Sequence, residues 1–141
     1  MNLINKFIIG LAQSDPNYGI NKKNSFKDIV DLVNKFGFTF FDTAETYKGS
    51  EIFLKKIKKK KKIKITSKLN FADKLDKNLE QKVQTSVNEL LIKNELVNIY
   101  GILIHDPLLP LDLNKWSVIY KCLLKLKKKK IIKKIGISVY S

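Results

Sequence analysis

A chain of 141 residues, 44% of them hydrophobic, has room for one modest domain with its own core and none for a second catalytic domain. Its net charge of +15 rests on 28 basic residues, all lysine; with no arginine to read base edges or fork onto phosphates, the charge is read as solvated helix ends rather than a nucleic-acid surface, although it can steer anionic ligands over long range. No apolar run approaches the roughly 20 residues that span a bilayer, and the single Cys122 has neither a disulfide partner nor ligands at metal spacing, so a membrane protein, a disulfide scaffold and a metal centre are set aside.

The first apolar stretch, Phe7 to Ala12, is too short for the core of a secretion signal and reads as the first strand of a cytoplasmic protein. Gln13 to Gly19 follows as a loop by its turn residues. Ser25 is placed to cap a helix whose Phe26, Ile29, Val30, Val33 and Phe36 keep helical spacing, and Gly37 is placed to close it. Phe38 to Phe41 reads as the second strand. It ends abruptly in Asp42, and a polar, glycine-containing loop brings Tyr47 shortly afterwards. Two readings of that loop stay open from its residues alone. It is a site at the carboxyl end of a buried strand, where parallel sheets bind ligands, or a solvated strand-to-helix connection with Ser50 or a neighbour as N-cap and Glu51 in the first turn.

A second helix runs from Glu51 to about Lys59, and a third strand from Lys62 to Leu69. Leu79, Val83, Val87, Leu90 and Leu91 mark a third helix of about four turns. Val97 to Ile104 is a nearly all-apolar fourth strand ending in His105-Asp106-Pro107. Trp116, Ile119, Leu123 and Leu126 give a fourth helix, on which Trp116 and Tyr120 are expected in the core and Cys122 as a small core or surface residue. Ile131 to Ile137 is a fifth strand ending in Ser138. The runs Lys58 to Lys62 and Lys127 to Lys130 fall where helices end, and cations suit that end of the helix dipole. Strands alternating with helices imply a parallel sheet with right-handed crossovers.

Asp42 with Tyr47, Lys68 and His105 thus lie at or just past the carboxyl ends of strands two, three and four. The motifs Phe41-Asp42-Thr43-Ala44-Glu45 with Tyr47 and Gly49-Ser50-Glu51, then Ile65-Thr66-Ser67-Lys68, Leu103-Ile104-His105 and Ile135-Gly136-Ile137-Ser138 follow in that order. On these residues the chain resembles the aldo/keto reductase family, from its first strand to its end. The resemblance implies an α/β fold, a parallel (β/α)8 TIM-type barrel, of which residues 1–141 would be the N-terminal part, strands one to five with four intervening helices. It also implies reduction of a small aldehyde or ketone by NADPH or NADH. Tyr47 would be the general acid, Lys68 the lysine that lowers the phenol's pKa, Asp42 the carboxylate paired with it, and His105 the group that orients the substrate carbonyl. Ser138 matches the serine that bonds the nicotinamide carboxamide, and Gly10 belongs to the cofactor-facing edge of strand one. The chemistry agrees, because a phenol with an ordinary pKa of about 10 is a poor acid near neutrality unless a nearby cation stabilises its anion.

The chain departs from the family pattern in places. Lys48 replaces the glycine common after the tyrosine, with Gly49 able to supply the turn one residue later. Leu11 replaces a common threonine, Ser14-Asp15 an aromatic-glycine pair, and Val139 a common asparagine, while Tyr18-Gly19-Ile20 looks like a bacterial subgroup. The family's phosphate-binding loops follow strands seven and eight. The expectation is therefore a truncated product, inactive alone, or a half-barrel completed by a second polypeptide; a non-catalytic fragment that interacts through exposed edges or its lysine surface is the alternative.

Overall fold

The computed structural model describes residues 7–14, 25–57, 63–71 and 78–139; Tyr18-Gly19-Ile20 and the run Lys58 to Lys62 lie outside them. Five strands, β1 (Ile9–Gly10), β2 (Phe40–Asp42), β3 (Lys64–Leu69), β4 (Ile99–Ile104) and β5 (Ile132–Ile137), alternate with four α-helices, α1 (Ser25–Phe36), α2 (Ser50–Lys55), α3 (Leu79–Lys93) and α4 (Leu113–Lys128). They form a single sheet in the order β1-β2-β3-β4-β5. The pairing is parallel, with Gly10 beside Asp42, Asp42 beside Thr66, and Ile104 beside Ile137. This is the strand order expected of the first five units of a (β/α) barrel. The chain divides into two compact units, residues 1–66 and 67–141, and β3 runs from one into the other.

In the first unit, α1 turns Val30 and Val33 inward, as its apolar spacing requires. Phe41 is fully buried and meets the Phe53 ring of α2 edge-on, with centroids 5.9 Å apart. Asn34 Nδ2 donates to the Lys56 carbonyl at 3.1 Å, which ties α1 to the chain just beyond α2. β1 and β2 differ from expectation. Instead of continuing to Ala12, β1 stops at Gly10, because Ser14 donates to the Leu11 carbonyl through both its amide (3.0 Å) and its hydroxyl (2.6 Å), winding Ala12–Ser14 into a turn of 3-10 helix. β2 starts at Phe40 rather than Phe38, because the Phe38 amide is used to close α1. The Ser25 side chain, expected to cap α1, lies outside the described residues.

In the second unit, α3 and α4 bury the same four-residue pattern. Val83, Ser86, Val87 and Leu90 line α3, and Ile119, Cys122, Leu123 and Leu126 line α4. Both faces pack with Ile99, Ile102 and Ile104 of β4. Cys122 is an internal packing residue; its Sγ donates to the Glu80 carbonyl at 3.7 Å, and burial pushes the thiol pKa up. Trp116 packs against this core and stacks on Tyr120 at 5.3 Å. Asp112 caps α4, accepting from the Lys115 amide at 3.2 Å and pairing with its ammonium at 2.9 Å; the Lys115 side chain is the main reason its carboxyl is held below the usual range.

Three helices stop in the same way. A residue in the left-handed region follows the helix, and the next amide reaches back to a carbonyl five residues earlier. Gly37 (φ 73°) precedes Phe38 bonding Val33, Glu95 (φ 55°) precedes Leu96 bonding Leu91, and Lys130 (φ 59°) precedes Ile131 bonding Leu126. Gly37 was legible as a cap, whereas Glu95 and Lys130 occupy positions where glycine would be unstrained. Val97, expected in β4, is left outside the strand and exposed by the turn that Glu95 makes.

Gly37→Ala is expected to destabilise the chain by roughly 1 kcal/mol, and Leu123→Ala by roughly 2–5 kcal/mol through the cavity it opens, while Val97→Ala changes stability by less than about 0.5 kcal/mol. Urea unfolding of the three variants checks this ranking; a Val97→Ala loss as large as that of Leu123→Ala would contradict the assigned core.

Candidate active site

The first unit contributes Gly10, Asp42 and Tyr47. Asp42 ends β2 beside Gly10, and its carbonyl accepts the Leu11 amide at 2.8 Å. The next residue, Thr43, is buried and donates its amide to Thr66 at 2.9 Å, so the ladder holds the chain just beyond the carboxylate. A turn then forms, with the Tyr47 amide donating to the Ala44 carbonyl at 3.1 Å. Tyr47 is half-buried.

The loop leaves Tyr47 through Gly49, whose φ of 83° is open to glycine and strained for other residues. A Cβ on Gly49 would lie 2.7 Å from the Ser14 carbonyl oxygen. The turn that the family pattern puts at the position of Lys48 is therefore made one residue later, against the 3-10 turn that shortens β1. Gly49 also stands as the N-cap of α2. Ser50, one of the expected caps, has a different role: it is buried, and its hydroxyl donates to the Tyr47 carbonyl at 3.1 Å. This contact was missed in the sequence because a serine at a helix start is ordinary capping chemistry. The loop is thus a helix start whose first serine fastens the tyrosine's backbone. Leu11, in place of a threonine, is a core residue.

The second unit contributes Lys68, His105 and Ser138. Lys68 is the penultimate residue of β3 and is 8% exposed, the one charged side chain buried among the described residues. His105 follows β4 directly, half-buried, and its amide donates to the Leu69 carbonyl at 2.9 Å. Ser138 follows β5, is 9% exposed, and donates its amide to the Ile104 carbonyl at 2.8 Å. Hydrogen bonds thus link the ends of β3 and β4 and the ends of β4 and β5, and the three side chains belong to three neighbouring strand ends. Val139, in place of an asparagine, is exposed. Among the described residues no group of histidine, cysteine and carboxylates could hold a metal ion, and no helix is long and apolar enough to cross a membrane.

The model of the aldo/keto reductase family matches residues 6–141. None of the curated proteins matches significantly. Among solved structures, a protein of Pseudomonas aeruginosa assigned to the aldo-keto reductases is 24% identical with a TM-score of 0.72, the match covering 93% of this chain and 53% of that one. An aldo/keto reductase of Brucella melitensis is 23% identical with a TM-score of 0.65, covering 95% of this chain and 49% of that one. The holo form of aldo-keto reductase AKR11C1 from Bacillus halodurans is 18% identical with a TM-score of 0.67, covering 92% and 44%. The chain spans about half the length of these solved proteins.

Gly49→Ala combines a left-handed φ with a contact against backbone, so it is expected to destabilise the chain by roughly 1–3 kcal/mol, compared with roughly 0.5–1.5 kcal/mol for Ser50→Ala, which removes one hydrogen bond. Denaturant titration of both variants measures the difference; a neutral Gly49→Ala would mean that the loop can rearrange away from Ser14.

Proposed function

This chain belongs to the aldo/keto reductase family, and we propose that it carries the proton-handling residues of an NAD(P)H-dependent carbonyl reductase. One observation carries the reading. Of a chain with 28 basic residues, the lysine at the family's catalytic position, Lys68, is the charged side chain that the described structure buries. Burying an ammonium takes several kcal/mol of desolvation unless an opposite charge answers it, so a lysine without a task belongs on the surface.

The residues present suit the nicotinamide end of the cofactor. Ser138, buried beyond β5, supplies a hydroxyl to hold the carboxamide, and apart from Gly10's own chain neighbours no described residue lies within 4 Å of where a Gly10 Cβ would stand beside Asp42. When bound, the nicotinamide supplies the hydride that reduces the carbonyl carbon. Tyr47 gives its hydroxyl proton to the carbonyl oxygen, the product leaves as an alcohol, and solvent returns a proton to the phenolate. Lys68 stabilises that phenolate, Asp42 holds the Lys68 ammonium by charge pairing, and His105 donates a hydrogen bond that orients the carbonyl. The substrate class is a small aldehyde or ketone and the setting cytoplasmic. Because the chain spans about half of its solved relatives, cofactor binding and turnover are assigned to residues 1–141 completed by the remaining barrel units, in one polypeptide or two.

By itself the 141-residue chain is expected to bind NADPH too weakly to register at micromolar concentration in a fluorescence titration and to reduce no aromatic aldehyde. In a completed barrel, Tyr47→Phe is expected to lower kcat by roughly 100-fold or more while NADPH affinity changes by less than about twofold. Lys68→Met should act in the same direction and shift the pH dependence of the rate, and His105→Ala should raise KM more than it lowers kcat. Turnover that survives Tyr47→Phe would remove the acid from this assignment.

A further inference from the structure

In the second unit, at the end where β4 and β5 begin and α4 stops, a cavity of about 420 Å³ is lined by Asn98, Ile99, Lys127, Lys130, Ile132 and Lys133. It lies at the opposite ends of β4 and β5 from His105 and Ser138. Three lysines line it and no carboxylate does. Residues 121–134 contain eight lysines and no acid. Elsewhere on α4, Lys115 pairs with Asp112 and Lys125 with Glu80, whereas Lys121 and Lys128 have no such partner among the described residues. Among the described residues Lys127 and Lys130 have no side-chain partner, and Lys133 rests over the Tyr100 ring at 5.6 Å.

The helix dipole accounts for lysines in the last turn of α4. It does not account for Lys133, which comes from β5, nor for Lys130. That residue closes the helix at φ 59°, where glycine would be unstrained, and the backbone bond from Ile131 to Leu126 that the closure makes needs no side chain at residue 130. A local backbone strain that delivers an unpaired cation to a cavity is a reason to look for an anion there.

We propose that this cavity binds a compact oligophosphate, free or as the tail of a nucleotide. Lysine meets phosphate as a point charge, and three lysines lining one cavity match closely spaced negative charges better than a single one. Nucleic acid fits less well, since the chain has no arginine and the cavity wall has no aromatic ring for a base to stack on.

The test is titration calorimetry of the full 141-residue chain with sodium tripolyphosphate and, separately, with ATP. Binding is expected for both, weakening several-fold as ionic strength rises from about 50 to about 200 mM. Equal affinity assigns the site to phosphate groups alone, and tighter binding of ATP assigns it to a nucleotide. Replacing Lys127, Lys130 and Lys133 together by Gln is expected to weaken binding by about tenfold or more, whereas replacing Lys121, Lys128 and Lys129 by Gln, the same loss of charge outside the cavity, changes it by less than about threefold. Lys130→Gly separates ligand binding from folding, because it should raise Tm by roughly 2–5 °C through relief of the left-handed strain and still weaken tripolyphosphate binding. No binding of either ligand, equal losses in the two triple variants, unchanged affinity in Lys130→Gly, or a bound RNA oligonucleotide that tripolyphosphate fails to displace would each overturn the proposal.

Discussion

Parallel strands cannot be joined by a tight turn, and that constraint shapes the chain from β1 to β5. Each strand hands over to a helix that runs back along the sheet, so residues with chemistry enter at the carboxyl end of a strand, and every helix must stop sharply to feed the next one. Asp42, Lys68, His105 and Ser138 stand at the ends of β2, β3, β4 and β5 for the first reason. For the second, α1, α3 and α4 share one closure, in which an apolar residue, Phe38, Leu96 or Ile131, follows the left-handed position and turns the chain toward the sheet.

Burial of polar groups follows the same division. Of the described polar residues that are buried, Thr43, Ser67, Lys68 and Ser138 lie in the carboxyl halves of strands or just beyond them, Ser50 opens α2, and Ser86 and Asn94 belong to α3 and its cap. Asn94 is secured locally, its amide donating to the Leu90 carbonyl at 2.8 Å. Taking a polar group away from water costs free energy unless a hydrogen bond answers it. Ser50, at the start of α2, finds a partner in the Tyr47 carbonyl, whereas the Ser67 hydroxyl in β3 is buried without one, and the helix-sheet layer is left to Val83, Val87, Ile102 and Leu123.

The lysine excess has two components that composition cannot separate. Most of it is solvated, as expected of long side chains whose charged heads remain in water. Lys68 is the exception, a cation taken inside at the end of β3, while Lys127, Lys130 and Lys133 stay exposed and line a cavity where β4 and β5 begin. A net charge of +15 says nothing about either placement.

The alternation of elements was determined by the sequence, because a 3.6-residue period puts Ile119, Leu123 and Leu126 on one helix face whatever lies opposite, and a short apolar run between turn signals behaves as a buried strand. The order of the site residues followed from that alternation. Tertiary structure decided the rest. It ended β1 at Gly10, started β2 at Phe40, and left Val97 outside β4, since each of those boundaries depends on where a backbone amide finds its acceptor, in the turns at Ser14, Gly37 and Glu95. It also decided that Lys68 is buried while the lysines around the cavity at Ile99 and Ile132 are not. Identical side chains carry no mark of their surroundings; burial is the sum of contacts from segments far apart in the chain, and that sum exists only once the chain has folded.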